Sequence, residues 1–394
     1  MTLCKNYITA CSLVSFLIIT ISCSQENVTG KNVGVARRSE TKEISFALDS
    51  LSLELDSVTV NIIHYCQYIP DFRGRSCLSF LNENTNSIYF YDFQTKSLLH
   101  KIDLSVLELQ KSLQGYLYSD DRVYTYSYSD ASLTCIDCNS KQILFSCRLY
   151  NNYFDPQKPF FTPKPVPLTC MPIKSIGNTI VLSGMVAGES MLENSKNRPV
   201  ITLFDLYTKE ISHVINYPSI YQEANWGGGL SFRSAYYDIN KKEEIVVSFP
   251  AYDEIVSYSM RKGIEQHHYA GSSKVKKIRP FTNKRNVFGD SEKLWEWYLK
   301  TSSYENILYD EYRHLYYRFV KLPQNSAYNP KVGTQKPTII IVLDESYSYV
   351  GELLLPNNMI FVTSNSFVSR MGICIQKREK NEDLISFYII RPII

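Results

Sequence analysis

The chain has 394 residues, with 42 Lys and Arg against 39 Asp and Glu, a formal charge of +3. So nearly neutral a body excludes a dedicated nucleic-acid binder, whose contact face would be strongly basic. The length allows one large or two ordinary domains, and 30 tyrosines in a 13% aromatic composition favour pleated, half-buried surfaces and an all-β fold.

The N-terminus comes first in the chain and is a targeting segment. Lys5 is the only charge before Cys23, residues 8–21 are almost uniformly apolar or small, and Ser22-Cys23-Ser24-Gln25-Glu26-Asn27 turns abruptly polar. A charged start, an apolar stretch and a small residue before a cysteine make a signal peptide. The stretch is short for a spanning helix, which needs ~20 apolar residues. This end resembles the lipobox of bacterial lipoproteins, with Ile21 and Ser22 in the usual pattern and Thr20 where Leu is common. The resemblance implies a signal peptide over 1–22 and a lipid on Cys23; the alternatives are an ordinary secretory signal cut nearby, or an uncleaved anchor. Losing residues 1–22 removes one Lys and no acid, leaving a charge of +2. Residues 23–42 are polar and read as a flexible tether, and 43–394 as the folded domain.

A hairpin then recurs. Tyr91-Asp92-Phe93-Gln94-Thr95-Lys96, Ile136-Asp137-Cys138-Asn139-Ser140-Lys141 and Phe204-Asp205-Leu206-Tyr207-Thr208-Lys209 share one pattern, each between two apolar strands. The Asp side chain accepts hydrogen bonds from the backbone of the turn it opens, and Thr or Ser does so more weakly. Looser copies start at Tyr237-Asp238, Tyr309-Asp310-Glu311 and Leu343-Asp344. The long step from Asp137 to Asp205 contains residues 151–167, whose five prolines exclude a central strand. Strands taken in fours give blades over 62–104, 114–150, 168–217, 230–271 and 302–356. A sixth, from 359–365, 372–376 and 384–390, lacks one strand, which residues 43–53 supply. The expectation is a six-bladed β-propeller of four-stranded antiparallel blades, its ring closed by strands from both termini.

With these strands, carried by "IYFYDFQTKSLL", "ITLFDLYTKEI", "AYYDINKKEEIVVSF" and "LYDEYRHLYYRF", the chain resembles the domain-of-unknown-function propeller lipoproteins of the Bacteroidota. These are related in fold to TolB and NHL-type propellers. The resemblance spans about residues 40–394 and implies a six-bladed propeller in the cell envelope, held to a membrane through its lipid. It carries over no catalytic residue and no cofactor.

Three segments break the blade rhythm, and insertions on a rigid scaffold often carry function. Asn225-Trp226-Gly227-Gly228-Gly229 sets a Trp beside a permissive backbone, where it could stack on a ligand; the alternative is a Trp buried at a blade junction. Residues 274–299 hold Lys274, Lys276, Lys277, Arg279, Lys284 and Arg285, then a helix over 290–299 with Trp295 and Trp297. That combination suits an anionic glycan, a carboxylated peptide or a phospholipid head group, against a solvated insertion packed on the wall. Residues 151–167 read as a docking loop or a stiff cover. The candidate ligand-binding residues are Trp226, Arg233, Lys277, Arg279, Trp295 and Trp297.

Seven cysteines remain after Cys4, Cys11 and Cys23: Cys66, Cys77, Cys135, Cys138, Cys147, Cys170 and Cys374. Cys135-x-x-Cys138 lacks the second pair a zinc site needs. His267 and His268 are neighbours on a strand, so they point to opposite faces and do not share an ion. The sequence implies no metal ligand set. The functional expectation is a lipid-anchored envelope module that binds a glycan, peptide or envelope protein. The alternative is a metal-assisted hydrolase or lyase at the channel mouth.

Overall fold

The computed structural model describes residues 40–104, 113–150, 162–185, 198–226, 232–281, 291–324 and 336–394. Residues 1–39, with the signal peptide and Cys23, and Lys284, Arg285 and the 227–229 glycines lie outside them.

Runs such as Ile339-Ile340-Ile341-Val342-Leu343, buried at every position, are too apolar for a sheet with one wet face. They require sheets packed on both sides, and the chain meets this with six sheets in a ring. The first strand, β1 (Ser45–Glu54), belongs to the last blade. Blade one comprises β2 (Cys66–Phe72), β3 (Arg75–Asn82), β4 (Ser87–Asp92) and β5 (Leu98–Asp103). Blade two comprises β6 (Leu113–Ser119), β7 (Arg122–Ser127), β8 (Ser132–Asp137) and β9 (Ile143–Arg148). Blade three has β10 (Lys164–Pro165), β11 (Lys174–Ile176), β12 (Thr179–Met185), β13 (Pro199–Asp205) and β14 (Ile211–Asn216), and is followed by a short helix, α1 (Ile220–Glu223). Blade four comprises β15 (Tyr236–Ile239), β16 (Glu244–Ser248), β17 (Glu254–Ser259) and β18 (Ile264–Tyr269). Helix α2 (Ser291–Lys300) precedes blade five, made of β19 (Ser303–Asp310), β20 (Leu315–Lys321), β21 (Thr338–Asp344) and β22 (Tyr349–Leu354). Blade six comprises β23 (Phe361–Ser369), β24 (Gly372–Lys377) and β25 (Leu384–Ile393), completed by β1 in antiparallel register from Ser45 opposite Ile393 to Glu54 opposite Leu384. The expected propeller and its closure by both termini are what the fold shows.

One blade departs from the expectation. Blade three begins at Lys164, inside the proline-rich stretch, because its innermost strand is broken: β10 pairs with the end of β12 and β11 with its start. Pro165 is tolerated there because the innermost strand is an edge and its missing N–H leaves no ladder bond unmade.

The apolar core lies between blades. One cluster joins Phe90, Tyr116 and Phe204 of blades one to three, and others fill the gaps between blades three and four, four and five, five and six, and six and one. The fourth strands are the wet rims, as the exposed residues of β9 and β14 show.

The repeated turns form as expected. Asp92 Oδ1 accepts the Gln94 and Thr95 N–H groups at 2.8 Å, and Asp137 and Asp205 repeat this toward Ser140 at 2.7 Å and Thr208 at 2.8 Å. These bonds hold all three carboxyls below the usual carboxylate range. All three lie between the third and fourth strands of their blades, as does Asp344; Asp238 and Asp310 lie between the first and second. In an antiparallel four-stranded blade both kinds of turn emerge at the same end, so every copy of the motif faces one side of the ring.

Candidate functional site: the channel mouth

The channel is closed by residues 166–173, the loop that interrupts the inner strand of blade three. The Thr169 N–H donates to the His64 carbonyl at 3.3 Å, and Thr169 Oγ1 accepts the Cys66 N–H at 2.9 Å, both on the blade one side. The Cys170 N–H donates to the Ser364 carbonyl of blade six at 3.1 Å, and the Ile173 N–H to the Tyr65 hydroxyl at 2.8 Å. The Tyr237 hydroxyl of blade four donates to the Pro172 carbonyl. Leu168, Cys170, Met171 and Tyr236 form a small apolar knot beneath these bonds. Gly115 of β6 leaves the room the loop needs: a Cβ there would sit 2.6 Å from Pro167. Backbone groups that would be orphaned in the channel are thus paired with three other blades.

The plug makes the channel blind. Thr169, Pro172 and Ile173 border a cavity of ≈ 490 Å³ whose walls come from the inner strands of all six blades, toward the end bearing the Asp turns. Lys174 of β11 and Asp238 of β15 form an ion pair across it, with Asp238 buried and Lys174 partly exposed. Asp238 Oδ2 also accepts the Tyr309 N–H at 2.8 Å, and Oδ1 the Ile239 N–H at 2.7 Å. Lys241 donates to the Glu311 carbonyl at 3.0 Å. Tyr68, Tyr118 and Tyr312 are half-buried along the wall. The Tyr68 ring is fixed edge-on to Phe93 at 5.0 Å and parallel to Phe367 at 6.5 Å. Burial, helped by Asp121, pushes the Tyr118 phenol up to about 12, and burial and Glu311 raise Tyr312, so both stay protonated at neutral pH.

The geometry is that of a concave, mixed apolar and polar site built on rigid strands. The family model for DUF4221, a domain of unknown function, matches residues 41–354. The chain belongs to the DUF4221 family. A DUF4221 member from Bacteroides vulgatus superposes with a TM-score of 0.72 at 19% identity, covering 90% of this chain and 99% of that one. An exported-protein candidate from Bacteroides fragilis superposes with a TM-score of 0.54 at 11% identity, covering 89% and 99%. At these identities the likeness concerns the fold. No curated protein matches the sequence.

The sequence-derived candidates of this DUF4221 propeller lie on the connections between blades, at the end opposite the cavity. Trp226 is 5% exposed, its indole N–H donates to the Ile220 carbonyl at 2.9 Å, and its ring lies parallel to Phe232. Trp297 packs on the same Phe232 at 4.7 Å and on Phe281, and donates to the Arg279 carbonyl at 2.9 Å. Trp226 and Trp297 therefore meet through one phenylalanine, in a wedge over blades three and four. Trp295 lies edge-on to Tyr298. The Arg233 carbonyl accepts the Tyr217 hydroxyl, while Lys277 and Arg279 are exposed. The expected helix over 290–299 is α2.

The histidine pair is split as strand geometry requires. His267 contacts Glu265 at 3.2 Å and Glu254 at 3.4 Å, and His268 contacts Ser257 at 2.9 Å and stacks on Tyr347. Among the described residues no group of three or more His, Cys, Asp or Glu side chains is placed to hold a metal ion. The seven cysteines are free thiols; burial pushes Cys66 and Cys77 up to about 12 and Cys138 to about 11, far from thiolate chemistry.

Sequence reasoning did not find Lys174, Tyr118 or Tyr312. Asp238, Tyr309 and Glu311 were visible, but as members of a turn motif. The missing signal was position: Lys174 opens the resumed inner strand of blade three, and the others lie near the end of an innermost strand or just after it, where adjacent blades converge.

Proposed function

We propose that this protein is a lipid-anchored cell-envelope binding module that captures a small ligand, or the end of a larger one, in the blind cavity at the channel mouth. The observation that carries this reading is the plug. It turns an open channel into a floored pocket of ≈ 490 Å³, within the ~300–1,000 Å³ range of ligand sites. Supporting it is the composition of the wall, half-buried tyrosines with a few fixed polar groups.

The envelope location rests on the Cys23 segment. Among the described residues no helix is long and apolar enough to cross a membrane. Metabolic labelling with a fatty-acid analogue should mark the wild type and not Cys23→Ala; equal labelling of both overturns the anchor.

The binding reading is tested by titrating the full-length protein, purified in detergent, with envelope glycans and peptides. The ligand found should bind about 10-fold more weakly to Tyr312→Ala, an effect the size of one lost aromatic contact. A ligand indifferent to Tyr118→Ala and Tyr312→Ala but lost in Trp295→Ala or Lys277→Ala would move the site to the opposite face.

A further inference from the structure

We infer that the channel-mouth cavity takes a neutral saccharide, the terminal one or two pyranose rings of a glycan; this rests on the cavity being the binding site. Charge in the cavity is internally balanced. Its cations are Lys174 and Lys241, and its anions Asp238 and Glu311. Lys174 is paired with Asp238, and Lys241 Nζ lies 3.9 Å from Glu311 Oε2 as well as on the Glu311 carbonyl. Asp238 is fully engaged: Oδ1 takes Lys174 and the Ile239 N–H, and Oδ2 takes the Tyr309 N–H. An ammonium group on a ligand meets no unengaged buried carboxylate here, and a carboxylate or phosphate competes with Asp238 or Glu311 for its cation. Desolvating an ionised ligand group without a dedicated partner costs more than it returns.

A hydroxyl escapes this difficulty, because it donates and accepts at once and carries no charge into the cavity. The wall supplies the complementary groups. Lys174 retains N–H capacity beyond its bond to Asp238, and the Tyr118 and Tyr312 phenols, whose protons are turned to Asp121 at 3.0 Å and to Glu311, stay protonated at neutral pH and present oxygen lone pairs that accept from a ligand hydroxyl. Tyr68, locked between Phe93 and Phe367, offers a flat apolar face of fixed orientation. A pyranose has this pairing of surfaces, an apolar C–H face and a rim of hydroxyls. An extended peptide would instead add to an unpaired strand edge. The edge that blade three would offer is replaced by the plug, whose Thr169, Cys170 and Ile173 N–H groups are already bonded.

The test is calorimetric titration of the full-length protein with cellobiose, maltose, lactose and diacetylchitobiose. Disaccharides of the same linkages carrying one glucuronate or one free glucosamine amine, and a set of dipeptides, run beside them. At least one neutral sugar should bind, with its charged counterparts about 10-fold weaker or worse, and Tyr118→Ala and Tyr312→Ala should each weaken it by about 10-fold. Circular dichroism confirms that both variants fold, and Trp295→Ala on the opposite face should leave affinity unchanged. A charged sugar or a dipeptide that binds more tightly, with the same response to the two tyrosine variants, overturns the saccharide assignment and leaves the site standing. A neutral sugar whose affinity ignores both tyrosines and falls with Trp295→Ala overturns the site. Binding by none of the sugars at ~10 mM, where even a weak complex with millimolar Kd registers, overturns the inference outright.

Discussion

Arg318 is the side chain on which the junction of blades four and five most depends. It lies on β20, is fully buried, and reaches across the interface to the turn between β16 and β17. Its guanidinium donates to the carbonyls of Tyr252 at 2.7 Å, Asp253 at 3.0 Å, Ala270 and Glu254 at 3.1 Å and Phe249 at 3.4 Å, and to Ser248 Oγ at 2.9 Å. It also covers the Tyr304 ring at 4.0 Å. Burial pushes its pKa down to about 10, which leaves it a cation at neutral pH. Arg318→Met keeps the length and apolar volume and removes every donor. An unpaired buried carbonyl costs ~1–3 kcal/mol, relaxation and water recover part of the total, and the lost desolvation of the guanidinium offsets more, so the net loss is about 3–5 kcal/mol. Equilibrium urea denaturation of wild type and variant measures it, with the slope checked for constancy. Arg318→Lys, with three donors on one point, should fall between the two. A loss below about 1 kcal/mol for Arg318→Met would show that the turn carbonyls find other partners and that the clamp is not what fastens these blades.

Four further outcomes follow from the same geometry. Asp310 is fully buried and accepts the Tyr312 and Arg313 N–H groups, the Arg313 guanidinium and the Tyr317 hydroxyl; Asp310→Ala should cost about 2–4 kcal/mol in urea denaturation, more than Asp205→Ala in its exposed turn. Lys96 holds φ at +63°, so Lys96→Gly should be neutral or stabilising by up to about 1 kcal/mol, and Lys96→Val destabilising, by thermal melts. His267 has a raised pKa, from its bond to Glu265 first and Glu254 next. Its contribution to stability is fully present below the unfolded pKa of 6.5 and is lost as pH rises through the higher folded value, a dependence Glu265→Gln should flatten in melts across that range. Deleting residues through 54 removes β1 with Leu51 and Leu53, both buried, and bares the β25 edge; the shortened chain should aggregate, while one starting at residue 40 stays monodisperse in light scattering.

What the sequence discloses divides by range of interaction. The Asp turns close within six residues, so their side-chain bonds, the strands on either side and hence the blades can be read from local pattern. The sixth blade was legible because a count of strands left one missing and the N-terminus had one to spare. The cavity takes two to five residues from each of six inner strands spread over residues 66–368, and no local pattern marks Lys174 as the partner of Asp238. Trp226 and Trp297 illustrate a second limit. A Trp beside glycines, or near a basic loop, has the same sequence appearance whether its ring faces a ligand or fills a wedge. Only the placement of Phe232 between them shows where these two rings lie.

The broken strand of blade three joins both themes. A proline-rich stretch is a poor strand, and in a central position it would leave ladder bonds unmade. On the innermost edge that cost disappears, and the chain is free to leave the blade at Val166 and return at Lys174. The detour is what floors the cavity, and the strand that resumes after it begins with the lysine that pairs with Asp238. Blade regularity is given up at the one edge where it costs little, and the residues released there build the pocket floor and place one of its charges. The described part of the 274–299 insertion packs through Trp297 on Phe232 and Phe281, at the connection between blades. The detour in blade three changes the channel itself, which is why the channel mouth, and not the more conspicuous Trp-bearing loops, is the ligand site proposed here.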